Sequence, residues 1–283
     1  MNNAESNLLN KKQAIEFLGL DAKAFANYFQ YAEEFSSEPR ANGHGWFYFD
    51  KSKLSAWLEN FKWRTVTLNK EDYAQCLDFA LAMHFRGYVT SDFGTGRQRE
   101  FGQKLTNWIK GQLGEVAVRK FFKSEFNAEV ELDFNLRDEI VPQDIISIKD
   151  AGHMRPPKIG VGIKSSKPKN AYLILGSNEI ERNERKSDAY IYCRVYIPDD
   201  HLLRVTKAAV MALVQGQRHY DRYMQNIPDF ADMPCEIAGW CWTNELEKVS
   251  SIPGQPFDGF RFVRQSGKLY KSKEKWQKLI NSL

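Results

Sequence analysis

Residues 187–197, "SDAYIYCRVYI", constrain the fold more than any other stretch of this chain. From Ala189 to Ile197 the only charge is Arg194; the rest are aromatic, β-branched or small apolar residues. A strand without a polar face has to be covered on both sides, so it reads as the central strand of a sheet. The neighbouring pattern supplies partners for it. "LTNWIKGQLGEVAVRKFF" sets Trp108, Ile109, Leu113, Val116, Ala117 and Phe121 on the apolar side of a helix. "AEVELDFNL" alternates as a strand, and "DIISIKD", "KIGVGIK" and "NAYLIL" are further strands, the first two separated by a turn-rich "AGHMRPP". "DDHLLRVTKAAVMALV" is a helix that Asp199 or Asp200 can cap. The expected fold class is α/β, in the broader sense α+β: a mixed β-sheet flanked by helices.

Residues 9–62 form a smaller unit ahead of this core. "LNKKQAIEFLGLDAKAFANYF" places Ala14, Ile15, Leu18, Phe25 and Phe29 at helical spacing, with Gly19 at the break. "EPRANGHGWFYFDKSKLSAWLENF" gives a glycine-rich turn, an aromatic strand and a helix capped by Asp50 or Ser52. This order of helix, turn, helix, wing and helix resembles the excisionase and MerR-like winged helix–turn–helix domains. The resemblance implies contact with double-stranded DNA. The helix from Asp21 to Phe29 would then approach a groove, with Arg40, His44, Lys51 and Lys53 near phosphates.

Residues 65–104 read as a helical linker followed by a glycine-rich loop, "VTSDFGTGRQREFG", whose Arg97 and Arg99 are candidate DNA contacts. The glycines form no phosphate-cradling signature. The expected organisation is a DNA-binding unit over 1–64, the linker over 65–104, and a main domain over 105–283 ending in a basic tail. No apolar run of about 18 residues is present, so no membrane span is expected. The four cysteines, Cys76, Cys193, Cys235 and Cys241, lack metal-ligand spacing and read as reduced thiols of a cytoplasmic protein. A net charge of +4 is weakly in favour of a polyanionic partner.

The chemistry is concentrated around "KIGVGIKSSK", residues 158–167. If Asp144 pairs with Lys164 in an antiparallel hairpin, Lys149 faces Ile159, and the strand period puts Gly162 and Lys164 on one face beside Asp144. A carboxylate there can ligate a hard cation, and a lysine can orient or deprotonate water and offset phosphate charge. Alternatively, Lys164 is the solvated end of a strand, backed by Lys167 and Lys169. The succession "GEVAV", "QDI", "GIKSSK" resembles the core of the PD-(D/E)XK nucleases, type II restriction endonucleases above all, over roughly residues 105–245. The resemblance implies catalytic roles for Glu115, Asp144 and Lys164, with Mg2+ on Asp144 and a second acid.

The chain departs from the family pattern twice. Gln143 separates Pro142 from Asp144, and glycine stands at 162 where the family has its second acid. Glu115 is the expected substitute and Asp133 the reserve, with Lys167 and Lys169 as further DNA contacts. The implied function is site-specific cleavage of double-stranded DNA by a homodimer. The alternative is a DNA-binding regulator or repair partner with an inactive nuclease-like core. His153 and His201 sit in no metal-ligand spacing and read as ordinary residues or at most phosphate neighbours, and Trp240 and Trp242 fit core or interface packing more readily than base stacking.

Overall fold

The computed structural model describes residues 7–19, 22, 38–39, 47–85, 101–136, 143–168, 170–182, 186–206 and 233–283. The N-terminal unit contains β1 (Leu8–Leu9), α1 (Lys11–Leu18), β2 (Glu38–Pro39), β3 (Phe47–Asp50) and α2 (Lys51–Trp63). Asn10 and Gln13 close a capping box at the start of α1, and Gly19 ends the helix at φ 64°, a left-handed conformation that favours glycine. Asp50 caps α2 through the Lys53 amide. Ala14, Leu18, Phe49, Leu54 and Trp57 form a small separate core. The helix expected from Asp21 to Phe29 lies outside the described residues, apart from Ala22.

The remaining elements are β4 (Thr65–Leu68), α3 (Lys70–Phe85), α4 (Phe101–Phe126), β5 (Val130–Leu132), β6 (Ile145–Asp150), β7 (His153–Arg155), β8 (Val161–Ser166) and β9 (Tyr172–Gly176). They continue with α5 (Ser177–Ile180), β10 (Ala189–Val195), β11 (Met233–Trp242), β12 (Glu247–Ile252), β13 (Gln255–Gln265) and α6 (Lys273–Ser282). A further helical stretch covers residues 201–206. The chain is thus a mixed α/β fold with sheets flanked by helices. Among the described residues no helix is long and apolar enough to cross a membrane.

The main sheet has the order β4-β11-β10-β8. β10 is buried along its whole length, antiparallel to β11 and parallel to β8. Val161, Ile163, Ile191 and Cys193 face one way and join Ile109, Leu113, Val116 and Ala117 of α4 in the largest core. Tyr190, Tyr192 and Ala238 face the other way, onto Leu173 and Leu175 of β9. A second sheet, β12-β13-β9, therefore covers the face where a helix would complete a purely helix-flanked sheet. A glycine sets how close α4 comes to the main sheet: a Cβ on Gly114 would overlap Ser165 Oγ and lie 3.4 Å from Cys193 Cβ.

Three expectations are revised. The segment read as a linker supplies β4 to the main sheet, and Tyr73, Leu77 and Ala80 of α3 enter the main core. The basic C-terminal stretch is not a loose tail, because Trp276, Leu279 and Leu283 are fully buried and Trp276 packs on Phe121 with ring centroids 5.1 Å apart. The hairpin after β6 closes early. Ala151 and Gly152 take left-handed conformations (φ 47° and 87°), so Lys149 faces Met154 of β7 and not Ile159. All four cysteines are unpaired and buried.

Candidate active site

Asp144 lies immediately before β6 and reaches β8 without a regular ladder. Its amide donates to Val161 O at 3.2 Å, and its Oδ2 accepts from the Ile163 amide. The other edge of β8 is taken by β10, so this carboxylate occupies the outer edge of the main sheet. One residue further on, Lys164 projects to the face turned toward β9. Its Nζ lies 2.7 Å from Glu179 Oε1 and 5.9 Å from the centre of the Tyr190 ring.

Glu115 approaches from the α4 side. It is only 7% exposed, and its Oε1 accepts from Gln112 Nε2 at 2.9 Å. Burial raises its carboxyl well above the ordinary carboxylate range; the Asp144 charge adds to the rise, Lys164 opposes it, and Asp133 contributes a little. Asp144 is also raised, by burial first, against the lowering effects of the Lys164 ammonium and the Ile163 amide. Burial pulls Lys164 down, but Glu179 and Asp144 outweigh it and leave the ammonium held above its ordinary value. Lys164 is therefore a fixed cation at neutral pH, an environment suited to stabilising charge and not to accepting a proton.

Glu115, Asp144 and Lys164, chosen from sequence, thus belong to one electrostatic cluster around the edge of β8. Asp133 belongs to it more weakly; its Oδ1 accepts from the Asn135 amide and side chain at 3.1 and 2.9 Å. The role envisaged for the gap at Gly162 is not open to Glu115. A Cβ on Gly162 would lie 2.7 and 2.9 Å from Tyr190 Cε1 and Cδ1 and 3.0 Å from Ser187 Oγ. Tyr190 fills that space, on the face away from α4.

Sequence reasoning missed Glu179. It sits in α5, a four-residue turn after β9, too short to show any periodicity. The acid nearest Lys164 therefore comes from a loop-borne turn. Its only sequence signal is a carboxylate just beyond a predicted strand.

Only three of the expected DNA contacts, Lys51, Lys53 and Lys167, fall among the described residues. Arg40, His44, Arg97, Arg99 and Lys169 lie outside the described residues. Lys51 and Lys53 are exposed in the first turn of α2, with Lys51 Nζ 5.6 Å from the centre of the Phe17 ring. Lys167 pairs with Asp199 at 3.3 Å. His201 is 1% exposed, with Nδ1 2.7 Å from Tyr73 Oη and Nε2 3.0 Å from Thr106 Oγ1.

Among the described residues no three His, Cys, Asp or Glu side chains converge as a ready metal cluster. The Asp144 charge nonetheless raises Glu115, and the Lys164 ammonium offsets this only in part. Mg2+ needs only one or two protein carboxylates when water and a substrate phosphate complete its shell. Asp144 and Glu115 fit that requirement by donor chemistry and by the repulsion a cation would relieve. Compared with known protein families, with curated proteins and with solved structures, the chain gives no match.

Proposed function

We propose that this protein is a Mg2+-dependent endonuclease acting on double-stranded DNA, in the manner of the type II restriction enzymes its sequence resembles. The observation that carries the reading is the placement of Asp144 at the edge of β8, with its Oδ2 on the Ile163 amide, beside Lys164 of the same strand and near the buried Glu115 of α4. Asp144 and Lys164 shift each other's protonation and both act on Glu115, a pattern common where chemistry is done. Asp144 and Glu115 would hold the ion. When bound, Mg2+ supplies an activated water and neutralises charge on the phosphoryl oxygens. Lys164, kept as an ammonium by Glu179, faces the charge that develops on the phosphate. The N-terminal unit would grip the duplex, and a palindromic target would suit a homodimer with one site per strand.

A second reading is a DNA-binding protein whose nuclease-like core does not cut. It is favoured by Gly162, whose missing carboxylate is replaced by the packed Tyr190 ring. Incubation of the purified chain with mixed plasmid DNA, with and without Mg2+, separates the two. Discrete Mg2+-dependent fragments, lost on Asp144→Asn, support the nuclease. Tight duplex binding with no cleavage in Mg2+ or Mn2+ supports the second reading.

A further inference from the structure

A cavity of about 720 Å3 opens beside the first turns of α4, the residues following β8 and β10, and the helical stretch 201–206. Gln103, Thr106, Asn107 and Lys110 line it from α4, spaced as one stripe of the helix. Lys110 is the unusual member. It is only 7% exposed and makes no hydrogen bond or ion pair with any described residue. The other two cations at the cavity are matched: Lys167 with Asp199 at 3.3 Å, and Arg204 with Asp200 at 3.0 Å. Burial, and then the Lys167 charge, hold the Lys110 ammonium below the ordinary lysine range against the opposing pull of Asp199, and an anion in the cavity would offset that penalty.

The surroundings suit an oxyanion with several acceptor oxygens. Gly102 and Gln103, in the first turn of the 26-residue α4, bring the positive end of the helix to the cavity. Asn107 and Gln103 add amide donors beside the ammonium. His201 is pushed down to about 4, chiefly by burial and then by Lys110, so it remains neutral and leaves Lys110 to supply the charge. The volume exceeds that of an isolated phosphate and matches a phosphate carried on a larger organic body.

We propose that this cavity binds a phosphate group, with Lys110 as its counter-ion and Gln103 and Asn107 as flanking donors. The inference goes beyond the proposed cleavage site and does not depend on it. The phosphate can belong to a nucleic-acid backbone or to a free nucleotide-like molecule, since both present the same oxygens.

The test uses the full chain and inorganic phosphate against chloride at constant ionic strength. Acylation of individual lysines is followed by mass spectrometry. Phosphate should slow labelling of Lys110 several-fold while leaving the exposed Lys62 and Lys278 unchanged. It should also raise the melting midpoint, an effect lost in Lys110→Met and kept in Lys110→Arg. The labelling experiment needs no variant, so a misfolded Lys110→Met would not remove the test. Duplex DNA then identifies the source. If DNA also protects Lys110, and Lys110→Met reduces the log–log salt slope by about 0.9, the ligand is a backbone phosphate. Protection by phosphate but not by DNA assigns the cavity to a small phosphorylated molecule. Unchanged Lys110 labelling with both probes overturns the proposal. A chain that cuts no DNA yet shows phosphate protection keeps this site and loses only the nuclease reading.

Discussion

Lys164 Nζ lies 2.7 Å from Glu179 Oε1, on the face of β8 that turns away from α4. This pair brings together a strand lysine and a carboxylate from the turn that follows the next strand. It holds Lys164 protonated and leaves its role electrostatic. On the proposed function, Lys164→Ala should slow single-turnover DNA cleavage by about 10²–10³-fold, the loss typical of one transition-state charge donor. Duplex affinity measured without divalent metal should stay within about twofold. Equal losses in affinity and rate would make Lys164 a binding residue. Glu179→Gln should have a smaller effect, because the ammonium remains and only its orientation is released.

Glu115 carries a cost to stability. Its folded-state carboxyl is raised above the ordinary value by burial and by Asp144, so the folded state binds the proton more tightly than the unfolded chain. Ionising it at neutral pH therefore destabilises the fold. Glu115→Gln should raise the melting midpoint at pH 7 while sharply lowering Mg2+-dependent activity. The gain should shrink as pH falls through the raised value toward the ordinary carboxylate range, and vanish below it. A midpoint gain independent of pH, or a loss, would contradict this account. Raising Mg2+ or substituting Mn2+ should restore part of the activity, and Asp133→Asn should cost much less.

Restoring the acid that the nuclease family carries at position 162 should fail. In Gly162→Asp, the new Cβ would meet Tyr190 Cε1 at 2.7 Å and Ser187 Oγ at 3.0 Å. Overpacking of this kind costs about 1–3 kcal/mol. Urea unfolding should show a lower midpoint with an unchanged slope. Adding Tyr190→Ala should relieve the clash, so the double variant should be less destabilised than the two single effects summed. Simple additivity would mean that the ring is not what excludes the acid.

Arg64, Glu236 and Arg194 form a buried triad on β11 and its neighbours. Glu236 pairs with Arg194 Nη1 at 3.0 Å and Arg64 Nη1 at 3.4 Å, and neither arginine is more than 5% exposed. Glu236→Ala should destabilise the protein by about 3–5 kcal/mol, because two guanidinium groups lose a shared anion without gaining water. Denaturant titration measures this directly, and a loss under about 1 kcal/mol would show that the guanidinium groups find other partners.

His201 predicts an acid limb in stability. Burial lowers its folded pKa to about 4 from an ordinary value of 6.5. Between those values the unfolded chain binds a proton that the folded chain does not, so stability falls as pH drops from about 6.5 to about 4. The shift corresponds to about 3 kcal/mol in all. Melting midpoints across that range should fall less steeply in His201→Gln than in the parent protein.

Much of this architecture was legible in sequence because it is written in local periodicity. The apolar run through β10 required burial on both faces, the stripe of α4 required a sheet beneath it, and Asp50 and Gly19 marked helix ends by their own backbone chemistry. Glu115, Asp144 and Lys164 could be chosen because their order along the chain follows a recognisable pattern. The remaining features depend on contacts between distant segments. A two-residue turn at Ala151–Gly152 closed the hairpin early and placed Asp144 against Ile163, a register that alternation alone does not specify. The Tyr190 ring, 28 residues from Gly162, closed the space where an acid was expected. Glu179 reached Lys164 from a turn with no pattern of its own, and Lys110 became a largely buried cation only once the residues after β8, the end of β10 and residues 201–206 enclosed it. Helix and strand periods are properties of a segment and can be read one segment at a time. Steric exclusion and charge pairing are properties of the space between segments, and only the tertiary structure decides them.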